Sequence, residues 1–274
     1  MTPVLLAIAS AALFGGMTVF IRLGMAGVEA GAATLATLIP AFLVAAAGAA
    51  VRDDLHGAWP FLLAGLIAPG GSQILFTLAV KEVGASRTSV AVGGAPLVAV
   101  AIAIVALGEP VRAGLLAGAF AVVLGGVLLG LERDRPAHLR AIGFAFAAAA
   151  ASLFATRDNV VRALHGHAKP ETAAAATLLA GTMVALVWTR RLPSRPALAR
   201  LTPAGICFGL SYVFLFEAYW HGRVTIVSPL VATESLWGVA FAAIAFRHHE
   251  QVGRRLAFGA LLVVAGGVLI GLTR

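Results

Sequence analysis

Runs of about twenty apolar residues recur along the whole chain, often with only four to ten residues between them, and runs of that length are what cross a bilayer. Ten spans fit: about 3–24, 31–51, 59–80, 85–107, 111–131, 140–162, 171–189, 202–220, 224–246 and 253–272. No stretch between them is long enough for a soluble domain. Apolar residues make up 60% of the 274 and charged ones 12%, too few to clothe a soluble surface of this size. The net charge of +8 gathers at the ends of the apolar runs, where it suits headgroups and topology signals, so no nucleic-acid partner is expected. A single cysteine, Cys207, rules out an intrachain disulfide and a thiolate metal cluster. The first run begins almost at the N-terminus without a basic leader and reads as a membrane helix, not a cleaved signal.

The chain also repeats itself. EPVRAGLLAGAFAVVLGGVLLGL (109–131) lies over EQVGRRLAFGALLVVAGGVLIGL (250–272) with an offset of 141 and thirteen identities in 23 positions. LFGGMTVFIR (13–22) lies over LFATRDNVVR (153–162) with an offset of 140. Two nearly equal offsets point to a duplication, with repeats over 1–134 and 138–274. Five spans per repeat is an odd number, so the halves must face opposite ways. The expected fold is an all-α integral membrane protein: ten transmembrane helices in two inverted five-helix repeats, with a site between them near the midplane.

The repeat ends carry a resemblance. Pro96, then Gly108-Glu109, then GGVLLGL close the first half. Glu250 and GGVLIGL close the second, with Trp237 where Pro96 would be and His249 for Gly108. Together with ALFGG in the first span and the Ala79 region of the third, these features resemble the drug/metabolite transporter superfamily, in its ten-helix form with two EamA domains. The resemblance implies an inner-membrane carrier of small metabolites, commonly amino acids or drugs, often working outward, with no cofactor and as a monomer or homodimer.

Most polar and unusual residues have structural readings. Gly114/Gly118, Gly126/Gly130 and Gly267/Gly271 are small-xxx-small pairs for close helix packing. Glu109, just before Pro110, and Glu250 suit helix starts. Pro40, Pro69-Gly70-Gly71, Gly93-Gly94 with Pro96, and Pro229 are breaks within spans. Trp59 and Trp188 end spans as interface anchors. His165, His167, His248 and His249 lack a third ligand nearby, so no metal site is expected. No enzyme motif is visible, which leaves no catalytic residues to name.

The charges inside spans are the informative residues, because each is costly there and usually faces a partner or a cavity. Arg157 and Asp158 lie in the sixth span, Glu217 near the end of the eighth, and Glu234 about ten residues into the ninth. Arg157, Asp158 and Glu217 should share one layer, with Glu217 the expected partner of Arg157 and Glu234 deeper on the same route. Trp237 and Phe241 follow Glu234 at i+3 and i+7, beside which an amine or organic cation would be well held. Tyr212 belongs to an aromatic stripe of the eighth span, and Gln73 and Thr77 are the polar candidates of the first half. Asn159 is expected to bond between helices. These residues would bind a small-molecule substrate, with protons as a possible co-substrate. A lipophilic-cation efflux carrier and a non-transporting membrane protein are the alternatives. Arg190, Arg191, Arg195 and Arg200 favour external termini by the positive-inside rule, whereas the resemblance implies cytoplasmic ones.

Overall fold

The computed structural model describes residues 2–52, 56–95, 98, 102, 113–114, 117–118, 120–121, 124–125, 141–222, 224–246 and 254–272. Pro96, Glu109, Gly126, Gly130, His248, His249 and Glu250 lie outside them, as do most of the fifth span and the second part of the fourth. Every regular element among the described residues is a helix. The first half supplies α1 (Thr2–Gly24), α2 (Ala30–Arg52), α3 (Trp59–Gly65), α4 (Ser72–Val83) and α5 (Ala85–Val92). The second supplies α6 (Ile142–Ala163), α7 (Pro170–Thr189), α8 (Arg195–His221), α9 (Val224–Val231), α10 (Glu234–Ala245) and α11 (Arg254–Leu272).

Local chemistry marks the ends. Lys169 is extended, Pro170 opens α7 without needing a donor, and Arg190 closes it in the left-handed region at φ 56°. Ser194 caps α8, its Oγ accepting from the Ala197 N–H at 3.4 Å. Trp59 and Trp188 stand exposed at helix ends, as an interface anchor requires. Leu5, Leu43, Val187 and Phe258 are more than half exposed, and in a bilayer such side chains meet acyl chains.

Five helical stretches are long and apolar enough to cross a membrane: Pro3–Gly24, Ala30–Val51, Trp59–Val83, Pro170–Thr189 and Arg195–His221. α6 has the length, but Arg157, Asp158 and Arg162 interrupt its apolar character. Three expected spans depart from a single straight helix. The third kinks over Leu66–Gly71, where Ala68 is extended (φ −145°, ψ 122°) ahead of Pro69. The fourth halts at Gly93 and Gly94, the Gly94 N–H turning to the Ala91 carbonyl. The ninth is two helices, α9 and α10, parted at Ala232 and Thr233.

At that last break the backbone bonds tighten from i−4 to i−3. Thr233 N–H donates to Leu230 O, Ser235 N–H to Ala232 O and Leu236 N–H to Thr233 O. The Thr233 and Ser235 hydroxyls donate to the Leu230 and Ala232 carbonyls at 2.6 and 2.9 Å. Each hydroxyl thus doubles the bond that its own backbone N–H makes to the same carbonyl and holds the bend.

Packing follows the duplication. α1 lies along α8, and their repeat equivalents α6 and α4 lie along each other. α2 packs on its own equivalent α7, and α5 packs on α10, the helix that follows its equivalent α9. Phe14 and Phe154, equivalent at the offset of 140, meet edge to face at 5.7 Å. Phe76 and Phe208 join them, each 5.2–5.9 Å from Phe14, so four helices share one aromatic centre. Where helices must come closer, glycine makes the room. A Cβ on Gly205 would stand 2.5 Å from Thr37 O, and one on Gly209 2.6 Å from Ala41 O, so this pair on α8 sets its approach to α2.

Candidate functional site

Beside the aromatic centre lie two adjoining cavities of about 30 and 40 Å³, room for a few water molecules at most. Both are bounded by Asp158 from α6, Glu234 from the first turn of α10, Val92 from α5 and Val231 from α9. Arg157 and Tyr212 line the larger, Ser228 the smaller. Each half therefore contributes wall, and the breaks of the fourth and ninth spans both open onto this space.

Arg157 is buried, with 3% of its surface exposed, and does not snorkel to the headgroups. Its Nε lies 2.8 Å from Asp158 Oδ1. That contact is an ion pair without hydrogen-bond alignment, and Arg157 Nη1 has no hydrogen-bond partner among the described residues. The guanidinium sits over the Tyr212 ring at 4.6 Å from its centroid, with Phe154 and Phe216 at 5.6 and 5.9 Å. Several ring faces take the place of lost water around the cation. Tyr212 belongs to a ladder at i, i+4 spacing on α8, in which Phe208, Phe216 and Trp220 follow ring on ring.

Glu234 is 7% exposed and, among the described residues, has no ion-pair or hydrogen-bond partner. Its place in the first turn of α10 sets the carboxylate near the positive end of that half-helix. Ser10 and Ser211 close the wall between α1 and α8. Their hydroxyls are 3.0 Å apart, and each also reaches the other's carbonyl, at 2.8 and 3.0 Å. Tyr219 OH and Ser228 Oγ pair at 3.2 Å.

Other candidates lie elsewhere. The expected Arg157–Glu217 pair does not form. Glu217 instead meets His221 at 3.3 Å, one turn along its own helix, and both are partly exposed. Depth had suggested the pairing, but Arg157 and Glu217 occupy different faces, since Tyr212 and Phe216 present the ladder to Arg157. Asn159 donates to Ala155 O at 2.8 Å within its own helix and makes no bond to another helix among the described residues. Trp237 and Phe241 stack on each other at 5.7 Å and turn toward α1: Trp237 packs at Gly15, and Phe241 lines an apolar groove with Phe20 and Cys207. Gln73 and Thr77 are buried on α4 and border neither cavity; Gln73 Nε2 is 3.9 Å from Met17 Sδ.

Three hydroxyls of the site escape a reading by charge. Ser10, Ser211 and Ser228 are single hydroxyls in apolar helices, indistinguishable by sequence from ordinary packing. Arg87 is a second buried arginine, 2% exposed near the start of α5. The polar run Ser86–Ser89 around it was the available signal. The larger hollows, about 480 and 500 Å³, open on outward faces and carry no charged side chain in their walls. The charged cavity is therefore the better candidate.

The EamA-like transporter family matches residues 1–131 and again 141–272. The chain belongs to that family. It is accordingly a multi-pass membrane transporter of the drug/metabolite type. A solved crystal structure titled only as that of a protein shares its fold, with a TM-score of 0.73 at 18% identity over 99% of this chain and 96% of the other. No curated protein matches it.

Proposed function

We propose that this EamA-family protein is a secondary carrier of a small amphipathic metabolite, an amino acid or a related compound, exported across the inner membrane by alternating access. The repeats over 1–134 and 138–274 are the two moving halves, inverted with respect to each other. The contacts between equivalents, α2 on α7 and Phe14 on Phe154, support that arrangement, because a two-fold axis between the halves brings equivalents together.

One observation carries the substrate reading. A buried guanidinium whose Nη1 has no hydrogen-bond partner and a buried carboxylate with no ion-pair or hydrogen-bond partner, both among the described residues, share one cavity between the halves. Groups of opposite charge left unsatisfied in a membrane protein suit a ligand with an anionic and a cationic end. Arg157 would take the anionic end, Glu234 with Asp158 the cationic end, and the Tyr212 ring the apolar part. Cavities of about 30 and 40 Å³ are far below the roughly 300–1,000 Å³ of small-molecule pockets, so this conformation belongs to a contracted state of the cycle.

The test is flux into and out of proteoliposomes with a panel of amino acids and lipophilic cationic dyes. Glu234→Gln should fold as well as the parent and lose at least tenfold in flux of the accepted substrate. Transport of dyes but no amino acid would favour the cation-efflux alternative, which the unpaired Glu234 beside aromatic rings also fits. Undiminished flux in Glu234→Gln would remove the cavity from the mechanism.

A further inference from the structure

The smaller cavity is lined by more oxygen than an amphipathic substrate needs. Asp158 and Glu234 bring carboxylates and Ser228 a hydroxyl. Val231 lines it at the end of α9, and its carbonyl would meet the Ser235 N–H in an unbroken helix. Here Ser235 donates to Ala232 instead, so the Val231 carbonyl has no backbone donor among the described residues. Val92 lines it from the other half, and its carbonyl has no i+4 donor because position 96 is a proline. Two interrupted helices thus bring residues whose carbonyls lack an i+4 backbone donor to the same wall as two carboxylates.

The charges add a second constraint. Asp158 and Glu234 against Arg157 leave one negative charge in a buried space when all three are ionised. A proton on Glu234 would cancel it but would supply only one donor. A monovalent metal cation cancels it and meets several oxygens at once, which is how unwound helices hold coupling ions in membrane carriers. A divalent ion would overshoot the charge by one. At about 30 Å³ the space fits a single small ion and no organic ammonium with its tail. Glu234, 7% exposed and without an ion-pair or hydrogen-bond partner among the described residues, is the buried polar group that lines this space.

We infer that the junction of α9 and α10 with Asp158 and Val92 forms a sodium site, with Glu234, Asp158, the Ser228 hydroxyl and the Val231 and Val92 carbonyls as its ligands. It rests on the carrier reading: sodium and the substrate's cationic end would take turns on the same two carboxylates, so the site couples by exchange. The site is all oxygen, which suits a hard cation, and needs no histidine or thiolate.

The experiment is thermal unfolding of the full-length protein in detergent at fixed pH and ionic strength, in sodium, potassium or choline chloride. Sodium should raise the melting temperature saturably, by about 5 °C at a hundred times the dissociation constant, and potassium and choline should not. Glu234→Gln should abolish the response, and Ser228→Ala should raise the half-saturating sodium concentration at least tenfold. Equal melting in all three salts, an equal response to potassium, or a sodium response that survives Glu234→Gln overturns the site. Full substrate flux in choline would overturn the ion site as a coupling element and leave the carrier intact. Saturable sodium binding in a protein that moves no substrate would do the reverse.

Discussion

Arg157 shows how one charged residue can be kept inside a membrane. Its carboxylate partner is its own neighbour in sequence, and the faces of aromatic rings replace the remaining water. Removing one member of a buried pair strands the other, at about 3–5 kcal/mol. Arg157→Ala should therefore lower the melting temperature sharply, whereas Arg157→Met with Asp158→Asn should recover more than the single changes predict by addition. Glu217 makes the contrast. Its pair with His221 is partly exposed, and such pairs contribute about 0–1 kcal/mol, so Glu217→Gln should leave melting nearly unchanged. A stability defect in Glu217→Gln equal to that of Arg157→Ala would restore the interhelical pairing that depth along the helices suggests. Depth is legible in a sequence because rise per residue is fixed; which face a side chain takes depends on neighbours from other helices, and that information is not local.

Among the elements, the breaks decide where the site lies. Pro69-Gly70-Gly71 and Gly93-Gly94 announce theirs by composition, since proline lacks a donor and glycine resists helix. The parting of α9 and α10 does not. It falls at Ala232 and Thr233, three residues beyond Pro229, and is held by hydroxyls that elsewhere would merely bond back along a helix. Across this region α10 presses on α5, with Gly238 against Ser89. A Cβ on Gly238 would stand 2.5 Å from Ser89 Cβ and collide with its hydroxyl. Gly238→Ala should cost about 1–3 kcal/mol by overpacking. Adding Ser89→Gly moves the small residue to the other helix and should return most of the loss, read as thermal unfolding in detergent. If the second change brings no recovery, the contact is not what sets the crossing.

The whole molecule is where the sequence speaks most clearly. The offsets of 140 and 141 anticipate which helices are equivalent, and the packing of α1 on α8 and of α4 on α6 follows the same exchange. Ten full spans are not displayed among the described residues: these omit most of the fifth and the second part of the fourth, charges interrupt the sixth, and the ninth is two helices. The site was legible as far as its charges, Arg157, Asp158 and Glu234, with Tyr212; its hydroxyl clasp was not. That clasp, Ser10 with Ser211, ties α1 of the first half to α8 of the second. Ser10→Cys with Ser211→Cys, in a Cys207→Ala background, should form a disulfide on oxidation, since the side-chain atoms already lie 3.0 Å apart. Flux should stop when the bond forms and return on reduction. Full flux in the oxidised protein would show that this seam stays shut throughout the cycle.

The charged residues described at the site all come from the second half, and their sum is not zero. In the carrier proposed above, with Arg157, Asp158 and Glu234 all ionised, an empty return would take the protein's own excess negative charge through the membrane's electric field. Each elementary charge that crosses the full field is worth about 2.3 kcal/mol per 100 mV. The unloaded return would then be the step that an energised membrane speeds or slows, while a site neutralised by sodium would pass unnoticed by the voltage. A cell could in that way set the pace of this protein through its membrane potential alone, without any dedicated sensor helix.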